Sequence, residues 1–365
     1  MYITKVELEN FRNYNNFQLE FDKKLNIILG ENAQGKTNLI ESIYFSSAGK
    51  SFRTSKDKEL INFNSSLCRI TTEFVKDNED CKIEIAINDK GKKGIKVDGV
   101  SIKKISQLME NLLTVIFSPE DLKIIKEEPA KRRSFMDREL CQLKILYYNN
   151  LLNYKKALNQ RNNLLKGNNI DETLLEVYDA ELAKFGAGVI AERMKFVEKL
   201  NVISHQIHRD ITNNKENIEI KYLSDIPVDG DKKIIELNFF EALKSARKND
   251  MYRRTTTRGI QKDDLKVIVN NIDVRKFGSQ GQQRTAALSL KLSEINLIKE
   301  EVGENPILIL DDVMSELDSE RQSYLLNSLA NVQIFLTAAE LSDEVKTSLE
   351  GGKIIKIKKG KLIED

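Results

Sequence analysis

Apolar and polar positions alternate from Tyr2 to Glu9 and again from Asn16 to Phe21, the period of half-buried strands, with Asn10–Tyr14 as the turn between them. A hairpin is predicted there. It leads into the apolar run Leu25-Asn26-Ile27-Ile28-Leu29, then a glycine-containing loop, then a helix on which Leu39, Ile40, Ile43 and Tyr44 share one face. Alternation returns over residues 69–75, 82–88 and 93–98, with Ile83, Ile85 and Ile87 on one side and Asp98-Gly99 as a turn, so an antiparallel meander is expected. Thr114-Val115-Ile116-Phe117 is continuously apolar, as in a strand buried on both faces. After Ser118-Pro119-Glu120-Asp121 the period becomes helical. Leu140, Leu143, Tyr147, Leu151, Tyr154 and Leu158 form one stripe, which predicts a helix of about thirty residues, roughly 45 Å long. Gly167-Asn168-Asn169 ends it. A second helix is predicted from about Glu172 to His208, interrupted or closely packed near Gly186-Ala187-Gly188, and the two suit an αα-hairpin. Residues 209–258 mix short strand-like and helical pieces. Thr285–Leu292 is strongly helical, Pro306–Asp312 and Ile334–Ala339 read as buried strands, and residues 353–363 as a closing hairpin.

At 365 residues the chain exceeds ordinary single-domain size, so two lobes or a large insertion are expected. Its 58 basic and 56 acidic side chains nearly cancel, so any nucleic-acid contact has to come from local patches. Lys131-Arg132-Arg133 and Arg253-Arg254, the latter flanked by Arg247 and Arg258, are the two clusters that could supply one. Cys68, Cys81 and Cys141 lack metal-site spacing, which argues against a disulfide framework or zinc. His205 and His208 lie three apart without a carboxylate or cysteine cluster to complete a metal site. No apolar run approaches the length of a membrane span, and a cytoplasmic protein without a membrane partner is expected.

The chemistry concentrates at three places. Gly30-Glu31-Asn32-Ala33-Gln34-Gly35-Lys36-Thr37 has the G-x-x-x-x-G-K-T spacing between a strand and a helix. Its backbone amides and the helix N-terminus suit a phosphate chain, Lys36 the β/γ-phosphates and the Thr37 hydroxyl Mg²⁺. Ser279-Gln280-Gly281, opening the helix that carries Thr285–Leu292, forms a second anion-binding loop that resembles the signature of ABC-type ATPases. Ile307-Leu308-Ile309-Leu310-Asp311-Asp312 has the Walker B pattern, in which Asp311 supports Mg²⁺ and Asp312 orients the attacking water. Ser315-Glu316-Leu317-Asp318 follows in the place of a D-loop. Two departures stand out. Thr337 occupies the place taken here for a switch histidine, and Asp312 is one methylene shorter than the glutamate usual in transporters, so slow hydrolysis is expected.

Together with these, Leu8–Tyr14, Gly49–Thr54, Ser118–Leu122, Arg132–Asp137 and Ile309–Asp318 with Arg321 and Leu325 resemble recurrent segments of the RecF family, an SMC-like branch of the ABC ATPases. The resemblance spans the chain. Glu127-Glu128 before Pro129, and Gly259–Asp264 without Pro-His-Arg before its paired aspartates, depart from the family pattern. What the resemblance implies is an ATP-dependent DNA-binding protein that dimerises with two ATP molecules between its subunits. It would act at gapped or stalled DNA with RecR and RecO, help load RecA, and support the SOS response and replication restart.

The fold class expected is α/β, an ABC-type P-loop ATPase head with a helical second lobe inserted. The head is assigned to residues 1–122 and 259–365 and the lobe to 123–258, a fold-back that brings residues 30–37 and 307–312 onto adjacent strands. A transporter ATPase is disfavoured because about 240 residues separate the P-loop from the signature. An SMC-type tether is disfavoured because the insertion is too short for a long coiled coil. A non-catalytic ATP sensor differs from a weak, DNA-stimulated ATPase in its hydrolysis.

Overall fold

The computed structural model describes residues 1–327, 332–340 and 351–363. In chain order, β1 (Tyr2–Phe11), β2 (Tyr14–Glu20) and β3 (Leu25–Leu29) lead to α1 (Lys36–Ala48). Then come β4 (Leu67–Lys76), β5 (Glu79–Asn88), β6 (Lys93–Val97), β7 (Val100–Ile102), α2 (Ile105–Met109), β8 (Thr114–Phe117) and α3 (Pro119–Leu122). The middle of the chain holds α4 (Pro129–Leu143), α5 (Ile145–Leu165), α6 (Glu172–Ile211), β9 (Ile218–Leu223), α7 (Lys232–Arg253), β10 (Asp264–Val269), β11 (Ile272–Asp273), α8 (Val274–Phe277) and α9 (Gln280–Val302). It ends with β12 (Ile307–Asp311), α10 (Ser319–Asn327), β13 (Ile334–Ala338), β14 (Lys353–Lys358) and β15 (Lys361–Ile363).

Two compact units emerge, one of residues 1–122 with 294–365, the other of residues 123–293. The second boundary corrects the expected 258/259. Strand β10 pairs antiparallel with β9, from Asp264 opposite Leu223 to Val269 opposite Ile218, so residues 259–293, including the signature segment, belong to the second unit.

In the first unit, one sheet is antiparallel with order β2-β1-β4-β5-β6-β7, and another runs β15-β14-β3-β13-β12-β8 with only the β14–β15 pair antiparallel. The alternating strands face helix α1 from one side and the continuously apolar ones from the other. Ile70, Ile83, Ile85 and Ile87, then Leu39, Ile40 and Ile43, then Ile28, Ile116, Ile309 and Phe335 make one buried cluster. Each such side chain contributes about 1.5–3 kcal/mol by leaving water. Strands β3 and β12 are not the adjacent pair expected from the sequence, because β13 lies between them. That places Thr337 beside Asp311.

In the second unit the predicted single helix is two. Lys144 is extended (φ −140°, ψ 104°) and separates α4 from α5. The stripe survives the break: Leu140, Tyr147, Leu151 and Tyr154 are buried, while Leu158 is only half-buried and Ala157 takes the interior place. Helix α6 runs forty residues, about 60 Å, without interruption. Its glycines are sites of close approach. A Cβ on Gly186 would lie 2.3 Å from the Phe239 ring of α7, and one on Gly188 2.5 Å from Asn150 of α5.

Candidate nucleotide site and signature segment

The P-loop is held by two segments that lie far from it in sequence. The Gln34 carbonyl accepts from Asn13 Nδ2 (3.1 Å) and Gly360 N (2.9 Å), Gln34 Oε1 accepts from Lys359 N (2.8 Å), and Tyr14 OH donates to Gly35 O (3.0 Å). Gly35 has φ 123°, and a Cβ there would lie 2.8 Å from Asn13 Nδ2 and 2.9 Å from Tyr14 OH. A Cβ on Gly30 would be 2.4 Å from Ile357 O. Both positions therefore require glycine for space. Glu31, Asn32 and Ala33 are exposed, and no side chain caps the first turn of α1, which leaves its amides to a ligand as an anion site requires. Lys36 is only 4% exposed, its ammonium donating to Gly30 O (2.7 Å) and Glu31 O (3.2 Å).

Below the loop, Thr37 Oγ1 lies 3.2 Å from Asp311 Oδ1, at the end of β12. Burial pushes the Asp311 carboxyl above its ordinary range, against the hydrogen bonds from Thr337 and Thr37 that favour its ionised form. Thr337 does not stand free as a switch residue. It is fully buried, its hydroxyl donates to Asp311 Oδ1 (2.8 Å), and it accepts from Asp312 N (3.0 Å). One β-branched residue on the intervening strand thus fixes the Asp311 carboxylate and the Asp312 backbone. Asp312 is half-buried and left-handed (φ 51°), a conformation that Asp tolerates better than most residues.

Glu41 escaped sequence reasoning. It is completely buried on α1, where Arg12 binds both its oxygens (3.0 and 2.8 Å), Arg53 Nη1 lies at 3.2 Å and Ser51 Oγ at 2.5 Å. Arg53 also donates to Asn38 Oδ1 (2.7 Å). The loop Gly49–Thr54 is therefore tied to the P-loop helix by a buried carboxylate. The only signal was an acid amid the buried face of α1, which requires cations from elsewhere.

In the second unit, Ser279, Gln280 and Gly281 are exposed. Ser279 Oγ accepts from Gln282 N (3.2 Å) and Gln282 Oε1 accepts from Ser279 N (3.1 Å), a capping box that starts α9. A Cβ on Gly281 would meet nothing closer than Ser279 Oγ at 3.9 Å, so the loop is open on that side.

The first basic cluster is corrected. Arg132 is 2% exposed, forks onto Asp264 (2.7 and 3.0 Å) and donates to Glu127 O (2.7 Å), so it is interior and cannot lie on a DNA surface. Arg133 is half-buried and donates to Asp263 O (2.8 Å). Lys131 remains exposed, near Glu127 (3.6 Å). Arg253 and Arg254 are exposed at the end of α7, Arg253 Nε donating to Asn249 (3.1 Å). Of the paired aspartates Asp263 is internal as well, holding Arg193 (2.8 Å), Tyr222 and Asp225 N (3.0 Å), while Asp264 is half-buried. The histidines point to separate partners, His205 Nδ1 to Ile218 O (3.1 Å) and His208 Nδ1 to Ser289 Oγ (2.9 Å), and no cluster of metal-binding side chains occurs among the described residues. No helix among them is long and apolar enough to cross a membrane.

A glycine loop opening α1, a Thr–Asp pair joining the first turn of that helix to the end of a parallel strand, and an antiparallel sheet over the same helix define an ABC-type ATPase head. A family model for the RecF/RecN/SMC N-terminal domain matches residues 2–354. The DNA replication and repair protein RecF of Clostridioides difficile (strain 630) is 48% identical over 99% of this chain and 100% of its own, and that of Clostridium tetani (strain Massachusetts / E88) is 46% identical over both whole chains. Two solved structures of the recombination mediator protein RecF in the RecFOR pathway, RecF-ATPrS and RecF-ATP, superpose with TM-scores of 0.93 and 0.91 at 39% identity, over 99% of this chain and 97% of theirs. An Smc head bound to the winged-helix domain of ScpA shares the fold (TM-score 0.57, 16% identity, 100% of this chain and 97% of that one). The chain belongs to the RecF/RecN/SMC N-terminal domain family, and within it to the RecF proteins.

Proposed function

We propose that this chain is an ATP-dependent DNA-binding protein of recombinational repair and replication restart, a switch that dimerises on ATP and hydrolyses it slowly. The observation that carries the reading is the convergence of Thr37 Oγ1 and Asp311 Oδ1, 3.2 Å apart, beneath the P-loop of a chain similar over its whole length to RecF solved with ATP. Lys36 and the first-turn amides of α1 bind and orient the phosphates. Thr37 and Asp311 would hold Mg²⁺: two hard oxygen donors, with water and phosphate completing the shell, fit that ion. Bound there, it would neutralise charge on the phosphate oxygens. Thr337 holds Asp311 and the Asp312 backbone, and Asp312 orients water.

The signature residues Ser279, Gln280 and Gly281 serve the nucleotide of a second copy, so two ATP molecules form part of the dimer interface and hydrolysis loosens it. DNA is held by surface cations, of which Lys131, Arg253 and Arg254 are the exposed candidates. The relatives' place in the RecFOR pathway supports RecR and RecO as partners, with help to RecA loading and SOS induction at gapped or stalled DNA. Lys36→Ala removes the charged donor of the P-loop. Measured by nucleotide titration, ATP affinity should fall on the order of ten- to a hundredfold, with loss of ATP-dependent DNA retention. Wild-type affinity in that variant contradicts the reading.

A further inference from the structure

The capping residue of the signature helix is itself held from outside. Gln282 uses its oxygen on Ser279 N, and its amide Nε2 donates to Glu216 Oε1 at 2.9 Å. Glu216 lies in the turn between α6 and β9, and that turn is fixed at both ends. Glu216 N donates to Thr212 Oγ1 (3.3 Å), Asn217 N to Asn270 Oδ1 (2.9 Å), and Asn270 N returns to Asn217 O (3.0 Å). The other Glu216 oxygen lies 3.4 Å from Nε2 of fully buried His208, whose Nδ1 meets Ser289 Oγ (2.9 Å) two turns along α9. Ser289 is in turn bonded to Thr285 O (2.8 Å), and Thr285 Oγ1 to Gly281 O (2.8 Å). The chain of contacts leaves the signature loop at Gln282 and returns to it at Gly281.

An N-terminal capping box needs only two reciprocal bonds, and an exposed glutamine side chain would ordinarily fray. Here a carboxylate selects the Gln282 rotamer in which the oxygen faces Ser279 and the nitrogen faces away. That choice presents the Ser279 hydroxyl and the Gly281 backbone in one geometry before any nucleotide arrives, the preorganisation that an anion site uses to avoid ordering costs on binding. We infer that Glu216 is a positioning residue for the signature loop, setting how tightly Ser279 and Gly281 engage the triphosphate of a second copy. The inference rests on the dimer reading above.

A reciprocal exchange tests it. Gln282→Glu keeps the capping oxygen, and a carboxylate in the first helical turn favours the helix dipole, so fold stability is retained. It also sets two carboxylates against each other where one hydrogen bond stood. ATP affinity at the P-loop should stay within twofold of wild type, while ATP-induced dimerisation, followed by sedimentation, weakens about tenfold, the worth of one charge-assisted bond. Glu216→Gln combined with Gln282→Glu restores donor and acceptor in reversed order and should recover most of that loss. Hydrogen exchange at the Ser279 and Gln282 amides, measured without nucleotide, should quicken in Glu216→Ala and return to the wild-type rate in the double exchange. Dimerisation of Gln282→Glu equal to wild type, or no recovery in the double variant, overturns the inference. A wild-type protein that does not dimerise on ATP overturns the dimer reading instead, and the exchange rates then decide separately whether Glu216 holds the loop.

Discussion

The two units bury charge in opposite ways. In the first, the core around α1 is aliphatic and aromatic, and the fully buried acid at its heart, Glu41, is met by partly exposed Arg12 and Arg53. In the second, Arg132, Arg161 and Arg193 are at most 2% exposed; Asp179 and Asp250, which hold Arg161, and Asp263, which holds Arg193, are wholly buried, while Asp264, the partner of Arg132, is half-buried. An apolar core is non-directional and tolerates small shifts. Buried ion pairs demand correct geometry, and removing one partner leaves the other charged and unsolvated. The difference teaches that a basic run in this sequence is not evidence of a nucleic-acid surface until its partners are known.

The sharpest way to break the comparison is Arg161→Met. Arg161 binds Asp179 (2.6 Å), Asp250 (2.8 Å) and Thr256 (2.9 Å), and Arg247 still reaches Asp179 afterwards (2.7 Å), but Asp250 is left without its cation. The loss should be about 3–5 kcal/mol in the second unit. Urea melts read by hydrogen exchange should show α5, α6 and α7 opening first, with the sheets of the first unit protected at wild-type levels. An unshifted midpoint would mean that the cluster contributes little.

The next effect is smaller and local. Thr337→Val keeps the shape but leaves Asp312 N without an acceptor and Asp311 with one donor fewer. A cost of about 1–3 kcal/mol is expected. Hydrolysis should fall more than ATP affinity, because Asp312 loses its support while Lys36 and the α1 amides do not. Equal falls in both, measured by turnover and nucleotide titration, would assign Thr337 a purely structural part.

These two sites also mark how far the sequence could be read. Period-two alternation, the P-loop and the Walker B strand are local patterns, and the elements they predict are present. The break at Lys144 carries no glycine or proline, so nothing local announces it. Arg132 and its partner Asp264 are 132 positions apart, and composition gives both the look of surface residues. Residues 259–293 join the second unit because β10 pairs with β9, a choice of partner invisible to periodicity. Thr337 stands in the place of a switch residue, but its neighbour across β12 and β13, Asp311, gives it a different task.

The smallest change in stability is expected at the surface. Arg253→Ala and Arg254→Ala should each alter folding by no more than about 0.5 kcal/mol, since both side chains are exposed. If they contact phosphate, each also reduces the salt slope of DNA binding by about one. Salt titrations of DNA retention in the ATP state check this, and an unchanged slope would place the DNA elsewhere.

The central claim is that the signature loop of one copy completes the nucleotide site of another. Ser279→Arg puts bulk and positive charge at an exposed loop position whose neighbour Gly281 has open space beside it. Sedimentation with ATP and Mg²⁺ tests the claim most directly. The account predicts that wild type shifts from monomer to dimer, and that Ser279→Arg binds ATP nearly as well yet stays monomeric and does not retain DNA. A Ser279→Arg protein that dimerises as readily as wild type would contradict it.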